Sequence, residues 1–145
     1  MNEYIVLVDN FKIPAERYRA MATISGARGA RESRGSRLSP DKIEALIWGL
    51  YHKNAAVRRC CLELLDLHPS TRAVPHIVAM FNDPVPRVRR HAVHAICCDV
   101  CKAGDTILTP DLVNRLREVA ETDPSPKVRA EGTHGLAEAE ARLPV

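Results

Sequence analysis

A Val-Arg pair occurs three times in this chain, each time with the same apolar spacing behind it. The stretches are "NAAVRRCCLELL" (54–65), "VPRVRRHAVHAI" (85–96) and "SPKVRAEGTHGL" (125–136). With Val57, Val88 and Val128 as position zero, Arg58, Arg89 and Arg129 follow at +1. Small residues stand at +4 (Cys61, Ala92, Gly132) and aliphatic ones at +8 (Leu65, Ile96, Leu136). Positions 0, +4 and +8 share one stripe of an α-helix, with +7 (Leu64, Ala95, Gly135) beside it. Three copies in one register point to a repeat architecture. A single unit of that kind cannot bury its stripe alone, so the units must stack.

Each of these helices follows another. Ser39-Pro40 opens "SPDKIEALIWGLYH", Ser70 opens "STRAVPHIVAMFN", and Thr109-Pro110 opens "TPDLVNRLREVAET". A hydroxyl N-cap, with proline at the first helical position, starts a helix well. The second helices start at Asn54, at the Pro84/Pro86 turn and at Ser125-Pro126. The pattern predicts three antiparallel pairs over 39–68, 70–103 and 109–140. The copies stand 31 and then 40 residues apart, and the nine extra residues fall around "CKAGDTILT" (101–109). The middle pair is therefore expected to have a longer exit loop. Aromatic residues make up only 4% of the chain, which suits close helix packing better than a β-sandwich.

"RAVPHIVAMFNDPVPRVRRHAVHAI" and "DPSPKVRAEGTHGLAEA" resemble HEAT repeats, in particular the HEAT-like repeats first described in phycobilin lyases. They share the Asp-Pro turn, the Val-Arg pair and the Ala/Gly-spaced second helix, and the resemblance covers about residues 39–140. It implies an all-α, right-handed α-solenoid of three HEAT-like pairs, whose second helices line a concave binding face. Asp83 and Asp123 stand five residues before the valine, where the first copy has His52. Asp83, Arg89, Asp123 and Arg129 are expected to form a structural ladder, each arginine meeting the turn aspartate of its own or the next repeat. The rung is not assured in the first copy.

Outside the repeats, residues 1–24 read as an N-terminal extension. "YIVLV" (4–8) is a short strand or an apolar segment docked on the first repeat, and "AERYRAMATI" (15–24) is a short helix. Together they would cap the apolar "IEALIWGLY", with Trp48 in the core. Residues 25–38, "SGARGARESRGSRL", have the composition of a flexible linker. Residues 141–145 are a tail, and Glu138, Glu140 and Arg142 suit a polar C-terminal cap.

Charge and cysteine content bound the function. The net charge is +3, and residues 1–38 carry all of the excess, with seven Lys/Arg against four Asp/Glu. The balanced body argues against a phosphate-binding surface as its main purpose. The N-terminus lacks a secretory pattern, and no segment approaches the ~18–20 apolar residues that span a bilayer. With five cysteines and no such signal, the expected location is a reducing cytoplasm with free thiols.

The +2 and +6 positions flank the buried stripe and differ between copies, so packing does not dictate them. Arg59, Glu63, Arg90, His94 and His134 are therefore the expected partner-binding residues. "HAVHAICCDVC" (91–101) invites a metal reading. But His91 and Cys101 lie ~15 Å apart along a helix, too far to share an ion held at ~2.0–2.3 Å. The nearer pairs, His94 with Cys98 and Cys98 with Cys101, have no complement elsewhere. Cys61 occupies the small-residue core position and packs as a small hydrophobe. HEAT-repeat hydroxylases use His-Glu pairs, and no His-Glu occurs here. No nucleophile elbow or phosphate loop occurs either. The chain is expected to be no enzyme, to hold no metal or cofactor, and to serve as a protein–protein interaction scaffold. Two alternatives stand beside that reading. One is nucleic-acid binding through Arg28-Gly29 and Arg34-Gly35 in the linker; the other is a bilin-lyase-like accessory subunit.

Overall fold

The computed structural model describes residues 2–26, 37–97 and 109–142. The core of the predicted linker (27–36), the exit loop (98–108, with Cys98 and Cys101) and residues 143–145 lie outside the described residues. Among the described residues there are eight α-helices and no strand: α1 (Tyr4–Asp9), α2 (Pro14–Ser25), α3 (Pro40–Leu50), α4 (Ala55–Leu67), α5 (Val74–Ala79), α6 (Pro86–Cys97), α7 (Pro110–Thr122) and α8 (Pro126–Arg142). The protein is an all-α solenoid. The odd-numbered helices form one layer and the even-numbered helices the other. Each pair packs internally, and α2, α4, α6 and α8 pack successively along the stack, as do α1, α3 and α5.

Side-chain caps explain several starts. Ser39 Oγ accepts from the Lys42 N–H and Thr109 Oγ1 from the Leu112 N–H. Asn54 Oδ1 accepts from Ala56 and Val57. Each satisfies a donor that the first helical turn leaves unpaired. Ser70 makes no such bond, contrary to expectation, because a 3₁₀ turn (Thr71–Ala73) intervenes before α5.

The repeat stripe is the core. Val57, Val88 and Val128 are at most 1% exposed, and Cys61, Ala92, Leu65 and Ile96 are buried with them. Burying one such aliphatic side chain contributes about 1.5–3 kcal/mol. The thiols serve the same packing. A Cβ on Gly49 would collide with Cys61 Sγ and come within 2.6 Å of Val8 Cγ1, and one on Gly135 would come within 2.7 Å of Cys97 Sγ. Glycine thus lets α1, α3 and α4 meet, and lets α8 approach α6. Burial pushes the Cys60 and Cys61 thiols up, Cys61 far up, which disfavours the reactive thiolate.

Residues 4–8, open between strand and docked segment in the sequence, are helical, and α1 with α2 is arranged as a further pair. A 3₁₀ turn (Asn10–Lys12) follows α1, as Met80–Asn82 follows α5. Val8, Phe11 and Ile24 are 0% exposed and Ala20 is 5%. With Glu16 as position zero, Arg17, Ala20 and Ile24 stand at +1, +4 and +8. Gly26, at a φ of 72°, closes α2 in the left-handed conformation that glycine adopts without strain. Ser25 Oγ meets Nε2 of the fully buried His68 at 2.9 Å, tying α2 to the end of α4.

The arginine ladder links pair to pair. Arg58 Nη1 donates to the His52 carbonyl, Arg89 Nη1 to Asp83 and Arg129 Nη1 to Asp123, at 2.9, 2.8 and 2.7 Å. Arg17 Nε makes the same i to i−6 bond to Phe11, at 2.7 Å. The carboxylate comes from the following turn. Arg58 is bidentate to Asp83 (2.7 and 3.1 Å), and Arg89 to Asp123 (2.8 and 3.0 Å). The rung at Arg58 therefore forms although the first copy lacks a turn aspartate, since the second copy supplies it. Arg129 carries only its own-turn bond among the described residues. His52 substitutes for the missing aspartate in another way. Its Nδ1 accepts from the Asn54 N–H at 2.9 Å, as Asp83 Oδ1 accepts from Val85 and Asp123 Oδ1 from Ser125. That acceptor role puts the ring proton on Nε2, which donates to Asp9 Oδ1 at 2.8 Å.

Trp48 corrects the sequence reading: it is 41% exposed, not core. Glu44, Trp48 and Tyr51 fall at i, i+4 and i+7, the outward stripe of α3. The Trp48 ring rests edge-on against His52, with centroids 5.6 Å apart.

Candidate functional site: the face of the second helices

The +3 and +6 positions of α6 and α8, three apart, lie side by side on their helices, and +3 faces the +6 position of the preceding second helix. Across the stack they form an ion-pair network. Glu63 on α4 binds Arg59 Nη1 at 2.7 Å and meets His91 Nε2 on α6 at 3.2 Å. His94 on α6 reaches in two directions, with Nδ1 2.8 Å from Glu131 on α8 and Nε2 3.5 Å from Asp66 on α4. His134 pairs with Glu138 on its own helix at 3.1 Å.

Both nitrogens of the two α6 histidines face acceptors. His91 Nδ1 lies 3.0 Å from the Arg87 carbonyl oxygen while Nε2 faces Glu63. His94 lies between two carboxylates. Only the doubly protonated ring can donate on both sides. The carboxylates reflect these neighbours. Burial alone would raise Glu63, but His91 and Arg59 outweigh it and hold its carboxyl below the usual range. The His94 hydrogen bond, opposed by burial, does the same for Glu131.

Each predicted partner-binding residue lies on this face, but their states differ. Arg59 and Glu63 are engaged with one another and half-buried. His94 and His134 are exposed yet paired, and Arg90 is exposed without a side-chain hydrogen bond or ion pair among the described residues. The sequence reading missed His91, Asp66, Glu131 and Glu138 as members of the network. The +3 row was a usable signal for His91 and Glu131, because it faces +6 of the preceding helix. Asp66 and Glu138 lie further along their helices and gave none.

What the face offers chemically is charge, held in pairs. Among the described residues, no group of three or more His, Cys, Asp or Glu side chains is arranged to hold a metal ion. The Ser25–His68 pair has a fully buried ring and ties helices together rather than facing a substrate. A cavity of about 580 Å³ lies on the opposite layer, between α5 and α7. It is lined by Val74, Pro75, Val78 and Leu112, with Asp111 and Arg115 beside them, and it contains none of the predicted site residues. No helix among the described residues is long and apolar enough to cross a membrane.

A family model described as HEAT repeats matches residues 43–137, well over half of the chain. The match is to HEAT repeats as a class and does not single out the phycobilin-lyase type. Neither the curated proteins nor the solved structures contain a match to this sequence. HEAT repeats are commonly protein-interaction scaffolds. With the matched segment, the stacked pairs and the arginine ladder in agreement, the chain belongs to the HEAT-repeat family.

Proposed function

We propose that this protein is a non-catalytic scaffold that holds a partner protein on the face of its second helices. The supporting observation is the network across α4, α6 and α8. The core positions 0, +4 and +8 follow the repeat, whereas the exposed positions differ from copy to copy and are tied helix to helix by Glu63–His91 and Asp66–His94–Glu131. Side chains held in this way lose less conformational freedom on binding, the usual advantage of a preorganised surface. The same reading puts the protein in the cytoplasm, where the buried thiols of Cys60 and Cys61 stay reduced.

Affinity capture with mass spectrometry tests the scaffold. A partner retained by the wild type is expected to be lost by Arg90→Ala with His94→Ala, and kept by Arg72→Ala with Arg117→Ala on the other layer. The opposite pattern would remove the second-helix face from the reading.

A further inference from the structure

We propose that the partner segment is acidic and extended, and that it lies across the N-terminal ends of α2, α4, α6 and α8. This rests on the scaffold reading and adds the partner's chemistry to it.

One strip of the second-helix face, positions −1 and +2, contains no carboxylate. It presents Tyr18 on α2, Arg59 on α4, Arg87 and Arg90 on α6, and Lys127 on α8; its remaining members are alanines. Tyr18 is 74% exposed. Arg87, Arg90 and Lys127 are exposed and make no side-chain hydrogen bond or ion pair among the described residues. On α4 and α8 the carboxylates of the neighbouring rows are each engaged: Glu63 by Arg59 and His91, Asp66 and Glu131 by His94, and Glu138 by His134; on α2, Glu16 is exposed at position zero. Across α4, α6 and α8 the unspent charge of the face is therefore positive and concentrated on one strip, which the exposed ring of Tyr18 continues onto α2. Arginine and tyrosine are the side chains that interfaces favour as anchors.

The spacing selects the partner. Packed helices stand about 8–10 Å apart, and an extended chain advances about 3.3 Å per residue. A carboxylate at every third residue therefore meets successive helices, and about nine residues reach from Tyr18 to Lys127. A nucleic acid carries a charge on every unit and would press phosphates onto Glu63 and Glu131. A peptide can pass those carboxylates with neutral residues.

The full chain is titrated, by fluorescence anisotropy at about 0.1 M ionic strength, where charges more than about 10 Å apart are largely screened, into a labelled dodecapeptide repeating Glu-Ser-Gly. Parallel titrations use the same peptide with lysine for glutamate, and a dodecamer of deoxythymidine. The glutamate peptide is expected to bind and the lysine peptide not. R87E/R90E should weaken binding about tenfold or more, and R87Q/R90Q by less, while the charge-matched R72E/R117E stays within about twofold, since only charges at the strip bear on the complex. Melting by circular dichroism checks that each variant is folded. Absent binding, equal losses in R87E/R90E and R72E/R117E, or tighter binding of the oligonucleotide would each overturn the proposal. A captured partner that Arg90→Ala/His94→Ala loses, together with no binding of the glutamate peptide, would leave the scaffold standing and remove only the acidic chemistry.

Discussion

The pair α1–α2 and the pair α5–α6 occupy equivalent places on either side of α3–α4 in one stack, yet only the second carries the repeat motif. Both break the first helix into a 3₁₀ turn, bury a phenylalanine there (Phe11, Phe81), and anchor an arginine to the carbonyl six residues before it. The middle pair adds Val88 at position zero and Asp83 in its turn. The N-terminal pair has exposed Glu16 and buried Phe11 at those positions. Asp83 receives the Arg58 guanidinium of the pair before it. Among the described residues no arginine reaches the turn of α1–α2 in this way, and none of them calls for an aspartate there. The motif thus records demands made by neighbours, whereas the +1 carbonyl bond and the buried +4 and +8 residues record the pair itself.

The largest test of that equivalence is Phe11→Ala against Phe81→Ala. Truncating a buried phenylalanine costs about 3–5 kcal/mol. Both variants should lose a comparable amount in denaturant unfolding. A loss under about 1 kcal/mol for Phe11→Ala alone would make α1–α2 an appendage rather than a pair.

The ladder sharpens the comparison next. Asp83→Ala leaves Arg58 without its buried carboxylate, and removing one partner of such a pair costs about 3 kcal/mol. Arg129→Ala removes a bond to a carbonyl and a positive charge near Asp123, but no carboxylate bond, and should cost about 1 kcal/mol. Equal losses would contradict a ladder closed by the following turn.

Acid should reach part of the ladder's contribution without mutation. Burial would raise Asp123, but Arg89, the Ser125 N–H and Arg129 outweigh it and hold the carboxyl below the usual range. Folding therefore favours the ionised form. Its contribution is complete above the ordinary carboxylate value of about 4 and is lost as pH falls toward and through the lowered folded value. Stability measured against pH should decline in that window, and Asp123→Asn should flatten the decline.

The smallest effect belongs to the joint between α1 and the first repeat. The bonds of Asp9 to Lys12 and His52 lower its carboxyl against opposing burial, but its side chain remains partly exposed. Asp9→Ala should change the melting temperature little, as exposed ion pairs do. A large drop would mean that this contact, rather than Val8 against Gly49, seats α1.

The regular part of the fold was legible because a buried helical stripe must recur every three or four residues, and Val57, Val88 and Val128 carry that recurrence openly. Trp48 was misread because "IEALIWGLY" is apolar nearly all round, so its spacing alone does not say which side is outward. The site was half legible. Register placed Arg59, Glu63, Arg90, His94 and His134 on one face, but not which of them spend their charge on one another. That depends on how far α4, α6 and α8 are offset, which no local pattern encodes.

Periodicity and capping determined the helices, their pairing and the stripe they bury, because these follow from backbone geometry within a few residues. The stacking of pairs decided the rest. It gave Arg58 the aspartate of the next turn, made His52 a stand-in for the missing one, and set His94 between two carboxylates. It also made residues 4–25 a fourth pair, since a contact between neighbouring units constrains two distant side chains at once and leaves no mark in either segment alone.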